Sequence, residues 1–206
     1  MDRREFGNDV VQGGYAYEQE LNIIDDNFRN YYEIFVYSFC DSDGDGIGDL
    51  NGVIEKLDYV QDMGFNGIWL MPIMPSTTYH KYDVKDYYDI DEVYGTLDDL
   101  KNLVDEAHKR GIKVILDGVF SHTGDDSVYF NRYRRYGDGG AYNNFDSPYH
   151  SWYTFKHFPD SYECWWNFDT LPTVKKMDPA FVEYIITGAD SVIAHWLRAG
   201  ADGIRL

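Results

Sequence analysis

Three times this chain of 206 residues repeats one pattern: a helical stretch, a glycine, a short spacer, an apolar strand. The repeats close at Gly64 to Ile68, Gly111 to Ile115 and Gly200 to Ile204. Glycine ends a helix because it takes the left-handed backbone at little cost. Strands that alternate with helices pair in parallel and return through crossover helices. The fold class is therefore α/β, and two closures compete: a (β/α)8 TIM barrel and an open doubly wound sheet. No G-x-G-x-x-G follows the first strand, so the dinucleotide-binding version has no support.

The elements follow from spacing. The first strand is expected in "YYEIFVYSF", where Ile34, Val36, Tyr37 and Phe39 are β-branched or aromatic. Leu50, Val53, Ile54, Leu57, Val60 and Met63 then fall at helical spacing up to Gly64. A short strand covers Ile68 to Met71. Thr96 is placed to cap a helix whose apolar face is Leu97, Leu100, Leu103, Val104 and Ala107, with Lys109 and Arg110 in its last turn. "KVILDGVF" is the third strand. Asp178 and Pro179 open a further helix that runs to Gly200, and "ADGIRL" begins the fourth strand.

A formal net charge of -18 argues against a nucleic-acid partner and suits a cation and a neutral substrate. No apolar run is long enough to cross a membrane. Two cysteines are too few for a disulfide framework. The opening "MDRREFGNDV" holds no apolar signal core, which leaves secreted and cytoplasmic locations both open.

"DSDGDGIGDLNG", residues 41 to 52, has the look of an EF-hand loop, with acidic side chains at Asp41, Asp43, Asp45 and Asp49 and a turn at Gly46. An EF-hand loop ends in a bidentate Glu, and that position is Gly52; it is also entered from a helix, and this one is entered from a strand. The loop is expected to hold Ca²⁺ through Asp41, Asp43, Asp45 and Asp49 with the carbonyl of Ile47, because alternating carboxylates bring hard oxygens to one point. The competing reading is a solvated acidic turn.

Between His122 and Val174 no clean helical period appears, and aromatic residues crowd the segment. An excursion of that length is usually functional. Aromatic rings offer flat faces to the apolar C–H faces of sugars, and a subdomain with its own aromatic core fits equally. In parallel α/β folds ligands meet the C-terminal strand ends. There lie the acidic loop, then Tyr79, His80, Tyr82 and Asp83, then Asp117 and His122, then Asp202 and Arg205. A charge within a barrel strand must be paired, and Asp117 and Arg205 are plausible partners.

These residues resemble the alpha-amylase family, glycoside hydrolase family 13. "DGVFSH" at 117–122 and "GADGIRL" at 200–206 are similar to its first two short motifs, "YHKYD" to the stretch lining its glucose site, "DSDGDGIGDL" to the calcium loop of oligosaccharide-cleaving members, and "LPTVKKMDP" to an auxiliary motif. The flavour is nearest the neopullulanase, cyclomaltodextrinase and amylase branches. The resemblance implies a (β/α)8 barrel with an inserted domain after strand three. It divides the chain into an extension (1–30), strands one to three (31–122), an aromatic-rich inserted domain (123–175), and a helix with strand four (176–206). It implies retaining cleavage of α-glucosidic bonds in starch, maltodextrin or related α-glucans through a glycosyl-enzyme. Tyr82 would stack on the sugar, Asp83 and His122 would bind it, Arg205 would aim the nucleophile, and Asp117 would brace Arg205. Ser121 stands where many members carry an Asn that helps hold a second calcium, so only the loop at 41–49 is expected to bind one. The resemblance puts the nucleophile just past Leu206 and the acid/base on a later strand, so these residues alone are expected to be an inert fragment. The alternative is a non-catalytic carbohydrate-binding or transport relative on the same barrel.

Overall fold

The computed structural model describes residues 29–206. The extension expected at 1–30 lies, apart from Arg29 and Asn30, outside the described residues. Four strands form one sheet in the order β1 (Tyr31–Ile34), β2 (Gly67–Leu70), β3 (Lys113–Asp117) and β6 (Gly203–Arg205). Every pairing is parallel. Ile34, Leu70, Leu116 and Ile204 lie in one row across the sheet.

The two faces differ, and the difference decides between the two closures. One face carries Ile34, Ile68, Leu70, Val114 and Leu116, all buried. It is sealed by the apolar sides of the helices, through Val53, Leu57, Val60, Leu100, Leu103, Val104 and Ala107. The other face carries Glu33, Trp69, Ile115 and Arg205, none of them buried, and Asp117, which is buried by its partners. A doubly wound sheet is covered by helices on both faces. Among the described residues helices cover one face only, as on an arc of a barrel wall with Trp69, Asp117 and Arg205 on the inside.

Local rules explain most elements. The helix Leu97–Lys109 opens with a capping box: the Thr96 hydroxyl accepts from the Asp99 amide, and the Asp99 carboxylate accepts from the Thr96 amide. The three glycines of the sequence repeat, Gly64, Gly111 and Gly200, have φ of 86°, 71° and 103°. Each ends its helix in the left-handed region that disfavours other residues.

Three expectations are corrected. The first strand does not run to Phe39; it stops at Ile34, and Val36–Phe39 forms one helical turn. The returning acidic loop takes the carbonyls a longer strand would use, with Gly48 N–H donating to Tyr37 and Asp49 N–H to Cys40. The helix from Leu50 to Met63 is two helices, Leu50–Glu55 and Leu57–Asp62, with a joint at Lys56. The helix from Asp178 to Gly200 is likewise divided. Pro179–Val182 runs into a π-helical turn, Glu183–Thr187; Gly188 then leaves the helix, and Ser191 caps a new one, Val192–Arg198.

Between β3 and Pro179 the chain builds a small unit with a two-stranded antiparallel sheet, β4 (Phe155–His157) and β5 (Ser161–Tyr162). Its centre is aromatic. The Phe130 ring meets those of Tyr153 and Tyr162 at 4.8 and 4.7 Å. A second cluster, Tyr129, Trp152 and Tyr184, joins this unit to the barrel helices.

Gly52 is required by close approach: a Cβ there would collide with the Cys40 carbonyl. Gly52→Ala is expected to cost about 1–3 kcal/mol, as overpacking of a filled site does. Denaturant unfolding of the full-length protein measures this, and an unchanged midpoint would contradict it.

Candidate active site

Asp117 ends β3 and Arg205 ends β6, and the register sets them side by side. Nη1 of Arg205 is 3.2 Å from Oδ2 of Asp117. The same carboxylate accepts from the Trp69 indole at 3.2 Å and the Tyr82 hydroxyl at 3.1 Å. The guanidinium also lies over the Trp69 ring, 4.5 Å from its centre. Burial outweighs these three donors and moves the Asp117 carboxyl above its usual range. Burial and the neighbouring Asp117 charge push the Tyr82 phenol up to about 12, so it stays a donor at neutral pH.

Tyr82 is presented by the loop after β2, and Asp83 sets the shape of that loop. Its carboxylate accepts from the hydroxyls of Ser76 and Thr78 and from the Thr77 amide. The Asp83 oxygens are thus turned into their own loop, although the residue lines the cavity. Lys81 holds a left-handed backbone, φ 61°, fixed by a buried ion pair to Asp91 at 2.6 Å.

His122 is buried, and its Nε2 lies 2.9 Å from the Tyr82 carbonyl, which fixes that nitrogen as the donor. Its Nδ1 then accepts from the Ser121 hydroxyl at 3.1 Å. Burial lowers its pKa, so the ring is neutral. Tyr82, Asp83, His122 and Arg205 all line one cavity of about 840 Å³. Its far wall comes from the inserted unit: Asp125, Asp126, Tyr133, Arg135, Trp165 and Phe168.

Some residues fall elsewhere. Asp202 precedes β6 and sits at the opposite end of the sheet, bound to Lys113 at 2.6 Å and His108 at 2.7 Å. Its reading as a strand-end site residue is corrected. Tyr79 is exposed and packs beside Phe35 and Tyr37. Residues that pattern reasoning passed over include Asp125, which binds Arg132 and Tyr133, and Asp126, which binds Thr77 and Arg135. The signal was present as two adjacent aspartates just after "SHTG".

In the acidic loop, carboxylate oxygens of Asp41, Asp43 and Asp49 lie within 4.8 Å of one another. Asp45 is not in that group; its carboxylate accepts from the Ile47 amide at 2.7 Å. Asp41 gathers the amides of Gly44 and Gly46, which lower its pKa. Asp49 caps the next helix through Gly52 N–H at 2.7 Å. Three convergent hard oxygens fit a calcium ion in their chemistry.

A family model described as the alpha amylase catalytic domain matches residues 33–206. The chain belongs to the alpha-amylase family. This amylase-family chain is 44% identical over 186 residues to an amylopullulanase of Thermoanaerobacterium thermosulfurigenes, covering 79% of the chain and 10% of that protein. It is 55% identical over 100 residues to Alpha-amylase 3 of Dictyoglomus thermophilum, covering 48% of the chain and 20% of that protein. Among solved structures, Eubacterium rectale Amy13B superposes with a TM-score of 0.76 at 42% identity, over 92% of this chain and 38% of that one. The amylase-family chain thus spans well under half of each of these relatives, and the strands described are part of a (β/α)8 barrel.

The neutral His122 gives a signed expectation. Its pKa is lowered from 6.5 in the folded state, so the unfolded chain binds more protons below that pH. Its share of stability is therefore present above about pH 6.5 and is lost as the pH falls. His195 acts with the same sign, while Asp117 and Asp125, raised by burial, act oppositely at lower pH. His122→Gln should flatten the loss of stability between about pH 7 and pH 5. Urea midpoints of the full-length protein at the two pH values read this, and parallel slopes would refute it.

Proposed function

We propose that the full-length protein is a retaining glycosidase that cleaves α-glucosidic bonds in starch, maltodextrin or a related α-glucan. The observation that carries this reading is the Asp117–Arg205 pair, whose arginine lines the cavity, with Tyr82 donating to the same carboxylate. An arginine so held is oriented by two partners, Asp117 and the Trp69 ring. Its Nε and Nη2 make no hydrogen bond among the described residues. That free edge suits a second carboxylate. The Tyr82 ring offers a flat face to a sugar in the cavity, and His122 holds the Tyr82 main chain and walls the same space.

Retaining hydrolysis needs a carboxylate nucleophile and a carboxylic acid roughly 5 Å apart. In this reading both come from segments that follow Leu206 in the motif order of the family. Arg205 keeps the nucleophile ionised and aimed. The acid protonates the departing glycosidic oxygen and then, as a base, activates the water that frees the sugar. The relatives named above include an amylase and an amylopullulanase, which supports an α-glucan as the substrate class.

We further propose that Asp41, Asp43 and Asp49 hold Ca²⁺, with Asp45 and the Ile47 carbonyl completing the set once the loop closes on the ion. The support is the convergence of the three carboxylates. The ion would supply charge neutralisation to the loop and no catalytic step.

Three outcomes test these readings in the full-length protein. Maltooligosaccharides should be cleaved with retention of anomeric configuration, followed by proton NMR; an inverted product would overturn the mechanism. Arg205→Lys should lower kcat/KM by about a hundredfold, because a point charge cannot replace a fixed planar fork. Asp41→Asn should weaken calcium binding by roughly tenfold in a calorimetric titration, and equal affinity in both proteins would remove the calcium assignment.

A further inference from the structure

Tyr87 follows Tyr82 in the loop after β2 and is wholly buried. It does not line the cavity. A buried hydroxyl is costly unless it is bonded, so a ring in such a place gains nothing from an oxygen without partners. Here the partners are specific. The hydroxyl lies 2.8 Å from the Val119 carbonyl and 3.2 Å from the His122 carbonyl, and its one proton is shared between them. No other hydrogen bond among the described residues reaches either carbonyl. Tyr87 thus spans the short run by which the chain leaves β3 and arrives at His122.

The bonding runs both ways. His122 donates from Nε2 to the Tyr82 carbonyl at 2.9 Å, and Tyr87 donates back to the His122 carbonyl. Beside this exchange, Gly124 N–H donates to the Val84 carbonyl at 2.9 Å and Val128 N–H to the Lys85 carbonyl at 3.0 Å. A Cβ at Gly124 would stand 2.9 Å from the Asp83 carbonyl, so the two loops are pressed together. Tyr87 is itself held at its other polar atoms. Its N–H donates to the Tyr129 hydroxyl at 2.9 Å, and its carbonyl accepts from the Trp196 indole at 2.9 Å. Its ring stacks on Tyr129 at 5.3 Å and meets Phe120 edge-on at 5.5 Å. Burial raises the pKa of the phenol, which keeps the hydroxyl a donor. Tyr87, Tyr129 and Trp196 are closed off by the described residues themselves, so further chain does not reach them.

We propose that Tyr87 is a positioning residue of the active site: its hydroxyl fixes the main chain at Val119–His122, and through it the His122 ring and the Tyr82 main chain that the ring holds. The inference rests on the α-glucan reading given above and adds to it a residue outside the cavity. The run from Val119 to His122 has no strand to hold it, since β3 ends at Asp117. Without the Tyr87 hydroxyl both carbonyls lose their donor, and the run must move to find another. The His122 ring would move with it, and the bond to Tyr82 would loosen. A small misplacement of a wall of the site costs rate rather than binding.

The test uses the full-length protein with maltoheptaose as substrate. Isotope-labelled histidine reports the His122 Nε2–H by NMR, and its exchange with water reads how firmly the ring holds the Tyr82 carbonyl. Tyr87→Phe keeps the ring and removes the hydroxyl. It should speed that exchange by about tenfold, the scale of one lost hydrogen bond. It should also lower kcat by about tenfold while KM changes by less than about twofold. Leu100→Val, in the helix packed on the other face of the sheet, should lower the unfolding midpoint but leave the exchange and kcat as in the wild type. Assays well below the midpoints keep every protein folded. Tyr129→Phe takes one bond from the Tyr87 main chain, should move both readouts the same way by less, and carries the test if Tyr87→Phe does not fold. Unchanged exchange or unchanged kcat in whichever of the two folds would overturn the positioning role, and so would an equal fall in kcat for Leu100→Val. A wild type that cleaves no maltoheptaose, with the exchange difference intact, would defeat the glycosidase reading and leave Tyr87 in its place behind His122.

Discussion

The site depends on one buried carboxylate. Asp117 sits on the inner face of a barrel strand with a side chain that is 1% exposed. An unpaired charge there is prohibitively costly, so the surrounding sequence must supply donors. It supplies three, from three different elements: Trp69 on β2, Tyr82 on the loop after β2, and Arg205 on β6. Satisfying Asp117 therefore ties the adjacent strands to the loop in one network. The same bonds fix the position of a tyrosine ring and of a cation at the strand ends. Stability and site geometry here are one set of contacts, because the group that is costly to bury is also the group that orients its neighbours.

The inserted unit gives the opposite wall by a different physical route. Its core is aromatic because a stretch with two short strands and few helical turns has little aliphatic surface to bury. Rings such as Tyr129 and Trp152 fill that space with few rotatable bonds, and edge-to-face contacts add to their burial. The polar edges of the unit are fastened by ion pairs. Asp126 takes Arg135 and Thr77, and so connects the unit to the loop that carries Tyr82. The cavity is thus bounded by two parts that do not share a sheet but share charged contacts across their seam.

The sequence was most legible where a local rule acts alone. The capping box at Thr96 and the left-handed glycines at 64, 111 and 200 depend only on nearby backbone, and each sits where spacing put it. The Asp117–Arg205 contact was also readable, since two opposite charges inside strands leave few other partners. Legibility failed where distant chain intervenes. Val36, Tyr37 and Phe39 favour a strand, yet the amides of Gly48 and Asp49 claim the carbonyls of Tyr37 and Cys40 in that stretch. Ser191 is an ordinary helix cap hidden inside what reads as one long apolar period. Asp202 has the composition of a site residue, but its place before the strand rather than after it commits it to Lys113 and His108 at the other rim. Asp125 and Asp126 went unread because their meaning depends on a chain that returns from elsewhere.

The acidic loop shows how a surface feature reaches the site. Asp49 caps the helix Leu50–Glu55, and the first amide of that helix, on Leu50, donates to the Tyr94 carbonyl at 3.0 Å. The Tyr94 ring lies under the Lys81 ammonium, 4.7 Å from its centre, and Lys81 pairs with Asp91. Lys81 directly precedes Tyr82, and its left-handed backbone turns the chain so that Tyr82 faces Asp117. Three carboxylates converge within 4.8 Å; the amides of Gly44 and Gly46 hold the Asp41 carboxyl below its usual range, and Gly52 N–H donates to Asp49. Whatever settles this loop acts on a short, packed series of contacts that ends at Tyr82. The acidic loop is therefore coupled to the position of Tyr82, since Asp49, Leu50, Tyr94, Lys81 and Asp91 are all buried and have little room to absorb a displacement.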